Sequence, residues 1–179
     1  PWIFSGALYH IPESLQEGAL VRIVDENNKF MALGHYQIGS IAVRVLSFVE
    51  RPINAEFWVE RLSEAFKVRK SLDLVRPDND IYRLVHGEGD QLPGLIIDVY
   101  GQTAVMQAHS VGMHCCRQEI AEALIEACEG EVKHVYYKSE TTLPYKADLH
   151  QENGFLVGGD ETNVATENGL KFHIDWLKG

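Results

Sequence analysis

The stretch from Tyr82 to Gln107, YRLVHGEGDQLPGLIIDVYGQTAVMQ, sets the fold of the second half of the chain. Its apolar runs predict three consecutive short strands, at Tyr82–Val85, Leu95–Tyr100 and Thr103–Gln107. Gly87-Glu88-Gly89-Asp90 and Pro93-Gly94 predict the first turn, because Gly reaches positive φ and Pro fixes φ. Gly101-Gln102 predicts a tight turn into the third strand.

The residues after this stretch predict one helix and further strands. An apolar stripe from Ser110 to Cys128 is typical of a helix, and Gly130 lies just past its end, where a C′ glycine is expected. Later strands are predicted at Val132–Tyr137, Phe155–Gly158 and Leu170–Ile174. Glu167-Asn168-Gly169 predicts a hairpin turn before the last of them. The class is therefore α+β, a domain of the β-β-β-α-β-β type in which one helix covers a sheet.

The first 52 residues predict a small β-pseudobarrel. Short strands are predicted at Gly18–Val24, Lys29–Tyr36 and Ser40–Leu46. Asp25-Glu26-Asn27-Asn28 predicts a hairpin turn between the first two strands. In the third strand Ile41, Val43 and Val45 share one face, as the two-residue period of a strand requires. Short strands at this spacing favour a small barrel.

A helix predicted from Pro52 to Leu72 links the two halves. Asn54 is placed to cap its N-terminus, and Ile53 and Trp58 are placed to form a hydrophobic staple. Its apolar stripe consists of Trp58, Leu62, Ala65, Phe66 and Leu72. Pro77-Asp78-Asn79-Asp80 predicts a domain boundary. The predicted organisation is a β-rich domain at 1–52, a linking helix at 53–76 and an α+β domain at 77–179.

Composition and charge narrow the function classes. The chain has 179 residues, of which 45% are hydrophobic, so it has enough apolar material for a packed core. Its net charge is −10. Residues 1–76 hold 9 basic and 9 acidic residues, whereas residues 77–179 hold 7 basic and 17 acidic residues, so the second half carries all of the excess negative charge. Any RNA contact is therefore expected in the first half. No apolar run reaches the length of a membrane span, no secretory signal opens the chain, and three cysteines without metal-ligand spacing indicate a reducing cytoplasm.

No catalytic, cofactor-binding or metal-binding residues are predicted in this chain. A methyl-donor or dinucleotide pocket normally uses a Gly-rich turn that leads into a helix, whereas Gly87-Glu88-Gly89 lacks a third glycine and leads to Pro93. Cys116 and Cys128 share the apolar stripe of their helix and are interpreted as structural, and Cys115 has no adjacent base to activate it. The histidines show no metal-site spacing.

The central stretch resembles the segment R-L-[VF]-x-x-E-x-D-x-L-P-G-L-x-[VI]-D-x-Y-G of a known family. That family is the S-adenosylmethionine (SAM)-dependent cytosine-5 RNA methyltransferases with an N-terminal PUA domain, typified by the 23S ribosomal RNA enzyme. The matching residues are Arg83, Leu84, Glu88, Asp90, Leu92, Pro93, Gly94, Leu95, Asp98, Tyr100 and Gly101. Val99 departs from the pattern, since the family usually has Arg there.

Both ends of the chain extend the resemblance. The strands G-x-L-V-x-I-V-D, F-x-x-x-G-x-Y and I-A-V-R-V-L are similar to the family's PUA domain, with Gln37-Ile38 where an Asn-Pro pair is common. The opening at Pro1 resembles a family pattern that begins a few residues earlier, so upstream residues are expected. Glu167 to Asp175 resembles the family's E-N-G-L-x-F-x-[VI]-D, which precedes the Rossmann-type catalytic domain. That domain is expected to be absent from this chain.

The resemblance implies an RNA-binding PUA domain, an RNA partner and a cofactor of the parent protein. It implies RNA, specifically 23S ribosomal RNA, as the partner, and SAM as the cofactor of the parent protein but not of this chain. Five residues are candidates for RNA contact: Trp2, Arg22, Lys29, His35 and Arg44. An arginine fork bonds two phosphate oxygens and a tryptophan stacks on a base. The alternative is core packing for Trp2 and solvated strand-edge charges for the others.

The sequence supports three functions. The first is the RNA-recognition portion of a cytoplasmic, SAM-dependent ribosomal RNA cytosine-5 methyltransferase, a transferase in rRNA processing, with no catalysis by these 179 residues alone. The second is a free-standing PUA-type RNA-binding adaptor. The third is a homodimerisation module formed by the acidic second half, which is compatible with the first because related methyltransferases are often dimers.

Overall fold

The β-rich start of the chain forms one antiparallel sheet. The computed structural model describes residues 1–144, 149, 152–159 and 164–176, and its first sheet has four strands in the order β1-β4-β3-β2. These are β1 (Trp2–Phe4), β2 (Leu20–Val24), β3 (Phe30–Tyr36) and β4 (Ile41–Ser47). The three predicted strands are therefore present, and β1 is an addition to them. The described pairs leave β1 and β2 as the two edges, so closure into a pseudobarrel stays a prediction.

Helix α1 (Ala55–Ser71) follows the first sheet and packs into the second half of the chain. The predicted cap is confirmed, since the Asn54 side chain accepts a hydrogen bond from the Phe57 amide at 3.2 Å. The helix buries Phe57, Trp58, Leu62, Ala65 and Phe66 in a core that it shares with the second sheet. The prediction for Leu72 is wrong: it lies past the end of the helix and is 62% exposed.

The second sheet has five strands in the order β5-β6-β7-β8-β9. They are β5 (Ile81–His86), β6 (Leu95–Tyr100), β7 (Thr103–Ala108), β8 (His134–Tyr137) and β9 (Gly154–Val157). Strands β5, β6 and β7 form the predicted run of three, joined in antiparallel fashion. Strand β8 is parallel to β7 and is reached by a helical crossover, as parallel strands require.

The predicted single helix from Ser110 to Cys128 is two helices. These are α2 (Val111–Cys115), capped by the Ser110 hydroxyl, and α3 (Arg117–Ala127). They meet at Cys116, whose backbone angles are φ −89° and ψ 6°. The break has a packing reason, because α2 lies against β3 of the first sheet and β7 of the second, whereas α3 lies against α1.

The last two strands form a separate hairpin. Strands β10 (Val164–Glu167) and β11 (Leu170–His173) pair with each other, and β10 was not expected from the sequence. The predicted turn is confirmed, with positive φ at Asn168 (49°) and Gly169 (80°). Several hydrogen bonds attach the hairpin to the loop before β5: among them, the Asn168 amide donates to the Asn79 side chain at 3.2 Å, and Arg76 donates to the Asn168 side chain at 2.6 Å.

A buried ion pair attaches the turn after β5 to helix α1. The Asp90 carboxylate accepts hydrogen bonds from both terminal guanidinium nitrogens of Arg69, one of them at 2.8 Å. It also accepts a hydrogen bond from the amide of His86 at 2.6 Å. The two charged side chains are 9% and 12% exposed. Asp90 therefore caps its turn and also fixes that turn, Gly87–Asp90, against the helix.

The junction between the two halves is closely packed around His35 of β3. The His35 ring lies against helix α2, and a Cβ atom added at Gly112 would lie 2.2 Å from its Cγ. The Gln37 side chain accepts a hydrogen bond from the Val111 amide at 3.2 Å, which supports the start of α2. Glycine at 112 therefore lets the helix approach the first sheet at this distance.

We expect Asp90→Asn to lower the free energy of unfolding by about 3–5 kcal/mol, because it leaves the Arg69 charge buried without a counter-charge. The measurement is equilibrium denaturation in urea. Glu129→Gln is the matched control, since it breaks the exposed pair between Glu129 and Lys70, the residue next to Arg69. The control should change stability far less than Asp90→Asn does. Equal effects would show that the buried pair does not hold the turn.

We expect Gly112→Ala to destabilise the protein by about 1–3 kcal/mol, because the added methyl group overlaps the His35 ring. Gly154→Ala is the control, since no atom lies within 4 Å of a Cβ there. Thermal unfolding of the two variants compares them directly. Similar midpoints would mean that the junction is loose enough to absorb a methyl group.

Candidate nucleic-acid interface

Three of the five candidate residues lie in one row across the first sheet. Arg44 of β4 is opposite Trp2 of β1 on one side and opposite His35 of β3 on the other. Directly opposed residues of antiparallel strands project from the same face of the sheet. The row faces the second half of the chain, because Trp2 bonds Glu88 and His35 packs on α2.

Trp2 stands at the boundary between the two halves. Its side chain is 48% exposed, and its indole Nε1 donates a hydrogen bond to Oε1 of Glu88 at 2.8 Å. Glu88 lies in the turn that Asp90 caps. No local pattern signals the contact, since the two residues are 86 positions apart.

A pocket of about 220 Å³ opens beside this contact. Residues of both halves line it: Arg44, Gly87, Glu88, Gly94, Leu95, Ile96 and His109. Nη1 of Arg44 is buried and has no hydrogen-bond acceptor within residues 1–144, all of which the structure describes. Burial lowers the pKa of Arg44, and the nearby Glu88 charge opposes that shift. Arg44 therefore lines the pocket with a side chain that has one buried, unsatisfied donor and the Glu88 charge nearby.

His109 contributes a neutral imidazole to the same pocket. Burial lowers its pKa, and the positive charge of Arg83 lowers it further, while Glu88 acts in the opposite direction. A neutral imidazole carries one hydrogen-bond donor and one acceptor. No sequence pattern singles out His109, which belongs to the strand-to-helix connection and has no motif around it.

His35 is placed inside the junction rather than on the surface. It is 4% exposed, its Nε2 lies 3.8 Å from Sγ of Cys116, and burial lowers its pKa to about 4. Its ring is thus neutral at pH 7 and is enclosed by α2 and Trp58. We therefore leave His35 out of the surface offered to a ligand.

Arg22 and Lys29 lie towards the opposite edge of the sheet. Arg22 belongs to the edge strand β2, where it pairs with Glu50 at 2.6 Å and stacks over the Phe30 ring at 5.4 Å. Lys29 is exposed at the end of the β2–β3 turn. The structure therefore does not bring these two together with Trp2 and Arg44.

Two of the three cysteines, Cys116 and Cys128, are at least partly buried, whereas Cys115 is exposed. Burial raises the pKa of the Cys116 thiol to about 11 and that of Cys128 to about 12, so both are protonated at pH 7. Among the residues with coordinates described above, no three His, Cys, Asp or Glu side chains are grouped to hold a metal ion. Within the same ranges, no helix has the length and apolarity that crossing a membrane requires.

Comparison with known sequences supports the expected family resemblance. Residues 1–48 match the model of a PUA-like domain. The whole chain is similar to proteins named ribosomal RNA large subunit methyltransferase I, with 32% identity to one from Vibrio cholerae, 34% to one from Tolumonas auensis and 32% to one from Erwinia tasmaniensis. These alignments cover 100% of this chain but 45–46% of each relative. The chain thus spans about half the length of the curated relatives it matches.

Solved structures share the fold. One, described as a candidate SAM-dependent methyltransferase from Streptococcus mutans, superposes with a TM-score of 0.74 at 17% identity and covers 96% of this chain and 43% of that one. Another, described as a candidate methyltransferase in complex with SAH, gives a TM-score of 0.73 at 17% identity, over 96% of this chain and 42% of that one. The arrangement of sheets and helices is therefore one that larger methyltransferase structures contain.

The buried His35 predicts a pH dependence of stability. Its pKa is about 4 in the folded state against 6.5 for an exposed histidine, so the unfolded state binds the proton more tightly. Its contribution is fully present above pH 6.5 and is lost as the pH falls towards 4, by about 3 kcal/mol in total. We expect His35→Gln to flatten the fall in unfolding free energy between pH 7 and pH 4, measured by urea denaturation. Parallel curves for the two proteins would contradict the assignment of His35 as a buried neutral ring.

Proposed function

We propose that this chain is the RNA-recognition portion of a SAM-dependent ribosomal RNA methyltransferase. One structural observation supports the location of RNA binding: Arg44, with a buried donor that lacks an acceptor, lines an open pocket beside the half-exposed Trp2. Similarity along the whole chain to proteins named ribosomal RNA large subunit methyltransferase I supports the substrate class. The match of residues 1–48 to a PUA-like domain supports the first sheet as the binding element.

The chemistry of the two residues suits unpaired RNA. Trp2 offers an aromatic face, and base–aromatic stacking is a common way of holding single-stranded RNA. Arg44 offers guanidinium donors for base or phosphate oxygens. With a net charge of −10, the chain gains little from bulk attraction to phosphate, so stacking and directed hydrogen bonds must supply much of the affinity.

We propose that methyl transfer takes place in the part of the relatives that this chain does not span. Cytosine-5 chemistry requires a thiolate nucleophile, whereas burial raises the pKa of two of the three thiols, Cys128 in the core and Cys116 packed against it. The SAM site of the parent protein would lie there too. The finer assignments, namely 23S ribosomal RNA as substrate, cytosine as the modified base, a cytoplasmic location and a homodimer, rest on the resemblance alone.

We expect Arg44→Gln to weaken binding of single-stranded RNA oligonucleotides by about 1–3 kcal/mol, because it removes a charged donor from the pocket. Fluorescence anisotropy at low salt measures the dissociation constant. Lys67→Gln, on the exposed side of α1, is the charge-matched control and should bind like the unmodified chain. Arg22→Gln tests the opposite edge of the sheet and should have the smaller effect of the two arginine variants.

Two outcomes would contradict the proposed interface. If Arg22→Gln abolishes binding while Arg44→Gln does not, the RNA lies along the β2 edge. If the unmodified chain fails to bind RNA at low salt, the recognition role itself is wrong.

A further inference from the structure

We infer that the pocket between Arg44 and Glu88 is a subsite for one unpaired nucleobase and that it selects guanine. The inference rests on the proposed function, which assigns RNA to this face, and adds the chemical identity of the group that enters. It depends on the size of the pocket, on its charge and on the order of its free donors and acceptors.

The pocket has the size and walls of a site for a single planar ring. At about 220 Å³ it lies below the range of about 300–1,000 Å³ that is typical of drug-sized ligands. The half-buried Ile96 gives it an apolar side, whereas the side chain of the preceding Leu95 is fully buried in the core. Gly94 lines another side of the pocket without a side chain. Its φ of 85° suits glycine, and a Cβ atom there would lie 2.7 Å from Ser110 Oγ.

The charge of the pocket favours a base over a phosphate. Glu88 lines the same wall as Arg44, and its negative charge acts on the arginine strongly enough to counter part of its pKa shift. A phosphate drawn to Arg44 would therefore meet a carboxylate, and like charges repel at this range. A neutral base edge meets no such penalty, and it bonds both groups at once.

The open hydrogen-bonding groups match the edge of guanine. Within the described part of the chain no hydrogen bond engages the Arg44 guanidinium, of which Nη1 is buried, and Glu88 uses Oε1 for Trp2 while its Oε2 has no hydrogen-bond partner. Guanine presents N7 and O6 as acceptors, a pair that arginine bonds bidentately, and its N1–H follows as a donor. Arg44 would take N7 and O6, and Glu88 Oε2 would accept N1–H. The other bases lack this run of two acceptors and a donor.

The test uses the 179-residue chain and seven-residue RNA oligonucleotides with one variable base in a uridine background, measured by fluorescence anisotropy. The expected order is guanine equal to inosine, which keeps N7, O6 and N1–H, and both at least fivefold tighter than adenine or 7-deazaguanine. Glu88→Gln should reduce the preference for guanine over adenine to less than twofold, because it removes the acceptor for N1–H.

A second variant keeps the inference testable if Glu88→Gln alters the turn. Trp2→Phe retains an aromatic ring but removes the indole donor that orients Glu88, so it should lower the guanine preference while the chain stays folded by circular dichroism. Equal affinity for all four bases, with binding still dependent on Arg44, would overturn the guanine subsite and leave the proposed function standing. An absence of RNA binding by the unmodified chain would overturn both.

Discussion

The buried pair between Arg69 and Asp90 is the contact on which the rest of the site depends. It joins helix α1 to the turn Gly87–Asp90, and the same carboxylate bonds the His86 amide and so fixes the backbone of that turn. Glu88 projects from the turn towards Trp2. A turn held only by its own backbone would leave Glu88 free to swing, because exposed ion pairs and loops constrain side chains weakly. The pocket wall is thus set by a helix that contributes no residue to the pocket.

The second constraint is the distance between the two halves, which His35 and Gly112 determine together. A neutral, buried imidazole fills the space between β3 and α2, and a glycine permits the helix to come that close. Arg44 lies beside His35 in the same cross-strand row, so the position of the junction also sets the depth of Arg44 in the pocket. His35, which the sequence suggests as an RNA contact, therefore affects the site through packing, by fixing the position of Arg44.

The sequence predicts those structural features that depend on residues close together along the chain. The run of three strands from Ile81 to Ala108, the cap at Asn54 and the turn at 167–169 all follow from local periodicity and turn chemistry, and the structure has them. The split at Cys116 was missed because the apolar stripe runs through it without interruption. Glu88 was missed as a site residue because its partner Trp2 comes from the other half of the chain, and His109 because the pocket that it lines also includes Arg44 from that half; no spacing rule connects positions so far apart.

The charge of the chain and the geometry of the pocket lead to the same mode of recognition. A protein that binds RNA through phosphates needs clustered positive charge, and here the basic residues nearest the site are either paired, as Arg69 and Arg83 are, or set beside an acid, as Arg44 is. In such an arrangement, sequence-independent attraction to phosphate contributes little to the binding affinity. Much of the affinity comes from an unstacked base that packs on the apolar wall and bonds one donor and one acceptor. Under the proposed function, recognition of this kind discriminates between RNA loops by the identity of an unpaired base.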